Sequence, residues 1–331
     1  MSCFLEKELK MKKLIVIAMV LAVCFAAFAS GASESGKTTT YELIMGTAGT
    51  SGTYYVVGAA MGTAVTNANP ALNVVVQPTK GSAENLRLAS NNDIQLGFSN
   101  SDGIYWALTG TGTFASEGKK NIKQVMALYT SQCQMATLAS SGIKTYGDLK
   151  GKKVSLGPSG QTIVEASKAV LRAYGIDPEK DITAYYLDVA EGLSKVTDGE
   201  IDACFWTAAA PTAGMVNATA TSDVVLVDID PEVLAKVCEE FPFYRPGIIP
   251  AGTYKGQTKD INVILMTTEL FAGADVSEEA VYQFVKTALE HKADYVSAHV
   301  SAQEITPETA ATVSFDVHPG ALKYYKEIGL K

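Results

Sequence analysis

Five short loops rich in Gly, Ser and Thr carry most of the chemistry available to this chain. They are Thr47 to Tyr54 (Thr-Ala-Gly-Thr-Ser-Gly-Thr-Tyr), Thr79-Lys80-Gly81-Ser82, Ser99-Asn100-Ser101, residues 157–162 (Gly-Pro-Ser-Gly-Gln-Thr) and Thr207-Ala208. Each follows an apolar run that reads as a strand: Leu43-Ile44-Met45, Val74-Val75-Val76, Ile94 to Phe98, Val154-Ser155-Leu156 and Ile201 to Trp206. In open α/β sheets, ligands bind at the carboxyl ends of strands. Helix N-termini there present unpaired N–H groups and positive potential, which suits a carboxylate. A single loop of this kind is better explained by Ser or Thr capping a helix. Five of them facing one another across two lobes point to a binding cleft.

Other constellations are thin. Residues 31–38 (Gly-Ala-Ser-Glu-Ser-Gly-Lys-Thr) satisfy the phosphate-loop pattern, but a leader precedes them and a polar Thr run follows, where a strand and a helix are required. Gly46, Gly49 and Gly52 do not have the dinucleotide-fold spacing. His291 and His299 lie in charged surroundings and read as surface residues; no zinc-protease, serine-hydrolase or Cys/His motif accompanies them or His318. Tyr54-Tyr55 and Tyr324-Tyr325 read as core or as pocket walls, with one ring of the first pair favoured for the pocket. The chain is therefore expected to be non-enzymatic, without cofactor or resident metal. An enzyme on the same fold and a sensory ligand-binding protein stay open as alternatives.

The elements that must position these loops alternate along the chain. Strand and helix follow one another from Tyr41, as in a parallel α/β sheet. A helix from about Ile163 to Tyr174 stops at Gly175; Asp188 and Glu191 form a candidate capping box for a helix ending at Gly199; Pro231 opens another helix. Apolar residues at 281, 284, 285, 288 and 289 make a helical stripe over 277–292. Two α/β lobes are expected, 41–131 plus 241–331 and 132–240, joined by a hinge.

The chain has 331 residues, 47% hydrophobic and 19% charged, which supports a packed core of two-domain size. A net charge of −8 with only Arg87, Arg172 and Arg245 argues against nucleic acid as a partner. Lys12-Lys13, the apolar run 14–28 and Ala27-Phe28-Ala29 read as an export signal over 1–29, with Met11 as an alternative start. Removing that segment takes away four Lys and two Glu and moves the net charge from −8 to −10. Cys24 raises a lipoprotein anchor, although Val23 is bulky for it. Residues 30–40 read as a flexible tether. Cys133, Cys204 and Cys238 then remain, with no CxxC and no zinc spacing; Cys204 reads as an inert core residue.

From about Tyr41 to Leu330 the chain resembles the TAXI-type solute receptors of TRAP transporters. The matching pieces are Gly46 to Tyr55, Thr79 to Leu88, Asp148 to Val154, Asp198 to Ala203, Ile249 to Tyr254 and His318 to Tyr325. The resemblance implies a type II periplasmic-binding-protein-like fold with two lobes and a hinge; the leader makes the expected receptor extracytoplasmic, and a monomer is expected. The resemblance also implies a permease driven by an ion gradient, and ligands such as glutamate, glutamine or 2-oxoglutarate. Carried over by motif, the ligand-binding candidates are Thr47, Ser51, Tyr54, Ser82, Asn85, Ser99, Ser159, Gln161, Thr162 and Ala208. Two departures stand out: the 157–162 loop lacks the family's longer Gly-Ser-Gly-Thr form, and Ala209 occupies a position where the family often has Gly. Lys80 replaces a small residue, either as a charge contact to the ligand or as a solvated loop Lys.

Overall fold

The computed structural model describes residues 40–331 apart from 242 and 314. The leader, Cys24, the phosphate-loop match and all of the tether except Thr40 lie outside the described residues.

The first lobe opens with β1 (Tyr41–Gly46), α1 (Thr53–Ala68), β2 (Leu72–Gln77), α2 (Ser82–Ser90), β3 (Leu96–Asn100) and α3 (Ser101–Thr109). β1 lies between β2 and β3 and runs parallel to both. Then comes β4 (Ile122–Leu138), a 17-residue strand that leaves the first lobe and enters the second. The second lobe holds β5 (Lys153–Ser155), α4 (Thr162–Ala173), β6 (Thr183–Tyr185), α5 (Val189–Thr197), β7 (Ala203–Ala208), α6 (Ala213–Thr221), β8 (Val224–Leu226) and α7 (Pro231–Glu240). β9 (Arg245–Ile249) and β10 (Ile261–Gly273) follow, then α8 (Glu278–Glu290), α9 (Pro307–Ala310) and α10 (Pro319–Glu327).

The strands join into one sheet in the order β2-β1-β3-β10-β4-β7-β5-β6, with β8 beside β4 and β9 beside β10. The parallel pairs lie at the two ends, as the strand–helix alternation predicts. β4 and β10 run antiparallel through the middle, from Ile264–Cys133 to Gly273–Ile122, and tie the lobes together. The sequence reading missed most of β4, because strands buried on both faces lose the period-two alternation. Its first half packs Val125 to Tyr129 in the first lobe, and its second half packs Cys133 and Met135 in the second.

The hydrophobic clusters follow the lobes. One gathers Met45, Val57, Met61, Phe98 and Tyr129 with α8 and with Tyr324 and Tyr325 of α10. Every residue of the expected helical stripe, Val281, Phe284, Val285, Ala288 and Leu289, is buried in it. In the second lobe, Tyr146, Val154, Val170 and Phe205 form one cluster, and Leu193, Cys204, Trp206 and Met215 another. Tyr244, Ile249, Tyr254, Ile261, Val263, Ile264 and Met266 also pack there, although the sequence reading assigns 241–266 to the first lobe. The chain returns along β10, around Met266–Thr268, rather than near 241.

Candidate functional site

The strands determine where the loops meet. Gly46, at the end of β1, is pressed so closely that a Cβ there would lie 2.6 Å from Asn85 Oδ1. That contact lets Asn85 act as a brace. Its Nδ2 donates to the carbonyls of Thr47 (2.7 Å) and Phe98 (2.9 Å), and its Oδ1 accepts from Thr79 Oγ1 at 2.7 Å. Two loops and strand β3 are thereby fixed to one side chain. Gly81 adopts φ +112°, which a side chain rarely tolerates, and this turn sets the entry into α2.

Between the lobes lies a cavity of about 260 Å³. That size suits a metabolite, being near the small end of ligand pockets at roughly 300–1,000 Å³. Six helices begin at its wall, because the residues immediately before α1 to α6, namely Gly52, Gly81, Asn100, Gln161, Asp188 and Thr212, all line it. Five of these six give their helix no side-chain cap; Asp188 alone does, accepting from the Glu191 amide. The helices that start elsewhere behave differently. Asp230, Ser277, Thr306 and His318 each cap their own helix through the side chain. First-turn amides need acceptors. At the cavity the protein's own cap residues largely do not supply them.

The electrostatics agree with this. Lys80 is the one cation and Asp188 the one carboxylate among the lining residues, and an Asp188 oxygen is taken by its own helix. Burial, opposed by a hydrogen bond with Ser82, holds the Tyr54 phenol well above its ordinary range, so it is neutral and able to donate. Trp206 lines the cavity, and its indole N–H has no partner among the described residues. Ile163, Val189 and Phe205 supply apolar wall. Asp102 lies outside the lining; burial pushes its carboxyl up to about 6, and the Tyr244 hydroxyl donates to it at 3.3 Å. Among the described residues no group of three or more His, Cys, Asp or Glu is placed to hold a metal.

The lobes touch across the cleft. Thr53 Oγ1 donates to the Ala209 carbonyl at 2.9 Å, and the Ala83 amide donates to Gln161 Oε1 at 3.1 Å. Arg87 Nη1 donates to the Gly160 carbonyl at 3.3 Å, and His299 Nε2 lies 3.0 Å from the Pro211 carbonyl. These four contacts join the lobes across the cleft.

Of the residues named from sequence, Ser51, Tyr54, Ser82, Gln161, Thr162 and Ala208 line the cavity. Thr47, Asn85 and Ser99 do not: all three are fully buried behind it, and their side chains bond to protein carbonyls. Ser159 is exposed and lies outside the lining. Thr53, Asn100, Asp188, Trp206 and Thr212 also line the cavity and are not among the residues named from sequence. Four of the five directly precede or open a helix, which is the signal that finds them.

Residues 45–329 match the NMT1-like family. The chain belongs to that family. Among solved structures it is similar to the alkanesulfonate-binding protein SsuA from Xanthomonas axonopodis pv. citri, solved with MOPS bound. The TM-score is 0.52 at 14% identity, over 86% of this chain and 82% of that one. It is also similar to a Bordetella bronchiseptica RB50 protein, with a TM-score of 0.54 at 14% identity over 86% and 88%. At that identity the likeness concerns the fold, a two-lobed solute-binding-protein fold with a central mixed sheet. For this NMT1-like chain the structure corrects the surface reading of His299 and adds detail to the others. His299 is half-buried and bridges the lobes; His318 is buried and caps α10. Burial pushes the Cys204 thiol up to about 12, as an inert core thiol requires. Ala209 keeps an ordinary backbone conformation, Asn92 being the one non-Gly residue with positive φ among those described.

Proposed function

We propose that this chain is the extracytoplasmic receptor of a TAXI-type TRAP transporter. It captures a small organic anion between its lobes and delivers it to a permease driven by an ion gradient. The observation that carries this reading is the convergence of six helix starts on one cavity between the lobes, five of them without a side-chain cap. Amides in that arrangement stabilise a carboxylate without requiring an Arg, and Tyr54, the Trp206 N–H and Lys80 add donors around it.

Ser51, Tyr54, Ser82, Gln161, Thr162 and Ala208 are the proposed ligand neighbours; Thr47, Asn85 and Ser99 position the loops. The apolar faces of Ile163, Phe205 and Trp206 would cover a short carbon chain. Titration calorimetry against glutamate, glutamine and 2-oxoglutarate tests the reading. Tight binding of at least one supports it. Tight binding of a neutral or cationic solute, with no heat from any anion, refutes it.

A further inference from the structure

One cavity residue faces both ways. Gln161 belongs to the second lobe and immediately precedes α4, yet its Oε1 accepts from the Ala83 amide in the first turn of α2, across the cleft. Only the carbonyl end of a side-chain amide accepts from an N–H. The bond therefore fixes which end of Gln161 is which, and its Nε2 is the other one. Gln161 is only 5% exposed and lines the cavity, and its Nε2 makes no hydrogen bond to any described residue. An amide N–H2 at the cavity wall with no protein acceptor is free to donate to whatever fills the cavity. The neighbouring Gly160 carbonyl is held from the first lobe by Arg87, whose guanidinium is pinned by Glu117 at 2.7–3.0 Å and lies over the Phe114 ring.

We propose that Gln161 is a donor that exists only in the closed form: its oxygen latches the lobes through Ala83, and the same bond turns its Nε2 toward an acceptor atom of the bound anion. Arg87 is the outer clasp that keeps the 157–161 loop docked, and it acts by positioning. This rests on the reading of the cavity as an anion site and adds to it a coupling between capture and closure. In the open form the amide is free to rotate and the donor is not preset. The ligand thus gains a contact only when the lobes have met, which makes closure favourable with ligand and reversible without it.

The test uses the full chain with 2-oxoglutarate and glutamate as probes. Calorimetry gives affinity, and small-angle X-ray scattering gives the opening of the lobes with and without probe. Gln161→Glu keeps an oxygen for the Ala83 amide but presents a second oxygen to the anion. It is expected to bind about 100-fold more weakly, as like charges in contact do, and to recover as pH falls and the carboxyl is protonated. Gln161→Ala loses latch and donor together, and its ligand-free form is expected to be more open than the wild type. Arg87→Met leaves the cavity lining intact and is expected to bind roughly tenfold more weakly, with unchanged preference between the two probes.

If the wild type binds a probe and Gln161→Glu binds it equally well, the donor is refuted. If Gln161→Ala and Arg87→Met are as closed as the wild type, the latch is refuted. If the wild type binds neither probe, the anion reading and the donor fall together. The latch is then judged by the scattering comparison alone.

Discussion

The helices of this protein start in two different ways. Away from the cavity, Asp230, Ser277, Thr306 and His318 each close their own first turn with a side chain. At the cavity, Gly52, Gly81, Asn100, Gln161 and Thr212 leave theirs without one. A missing side-chain cap costs a helix up to about 1 kcal/mol, and only a few tenths where the residue is Gly, as at Gly52 and Gly81. Five α-helix starts without a side-chain cap are gathered on one wall, while the four α-helices that start elsewhere among the described residues are all capped. Under the proposed function a ligand carboxylate would be the acceptor for those first turns, apart from the Ala83 amide of α2, which Gln161 takes.

The sharpest way to break the comparison is to cap a cavity helix. Gly52 has extended backbone angles, φ −97° and ψ 156°, which any residue adopts. Gly52→Asp would place a carboxylate on the α1 amides. Ligand affinity is expected to fall about 100-fold or more, because two carboxylates then compete for one site, while stability to urea changes by only a few tenths of a kcal/mol. Equal binding by this variant, measured by calorimetry, would place the ligand elsewhere.

A buried acid, Glu269, gives an effect of similar size, on stability rather than on binding. Burial pushes the Glu269 carboxyl up to about 7, with the Gln124 amide opposing. The folded form keeps the proton that the unfolded chain loses near pH 4.5, so stability falls as pH rises from about 4.5 to about 7. The loss is about 3 kcal/mol at 1.36 kcal/mol for each pH unit. Glu269→Gln should flatten that slope and stabilise the protein at pH 8, as urea titrations across pH would read.

Removing a cap from the other class should do the reverse of Gly52→Asp. Asp230 accepts from the Glu232 amide at 2.9 Å, far from the cavity lining. Asp230→Ala is expected to cost about 1 kcal/mol of stability and to leave ligand affinity unchanged. The smallest effect is expected from Lys80, which is exposed. Lys80→Met should weaken anion binding only several-fold, less than 1.4 kcal/mol, and make binding less sensitive to salt.

The sequence made much of this legible, and the exceptions have physical causes. The α8 stripe, the stop at Gly175 and the Pro231 helix start are local signals, and the structure has all three. The loops that line the cavity are legible because Gly and Ser after apolar runs mark strand ends. Thr47, Asn85 and Ser99 belong to those same loops yet face protein, since composition locates a loop but not the direction of each side chain. β4 was hidden because residues such as Gln124, Ser131 and Gln134 are buried there, with partners supplied by distant strands. The half of β10 that packs in the second lobe was misplaced for a related reason: a strand shared by two cores carries no mark of where one ends.

The central claim is that unpaired amides at the cavity hold the ligand. Amide chemical-shift mapping tests it most directly, by adding 2-oxoglutarate or glutamate to the labelled full chain. The account predicts that the largest shifts fall on first-turn amides of the cavity helices, at Thr53, Ser82, Thr162 and Ala213, while the capped starts of α7 and α8 stay unmoved. Shifts concentrated away from the cavity wall, or none there with either anion while a neutral or cationic solute produces them, would contradict it.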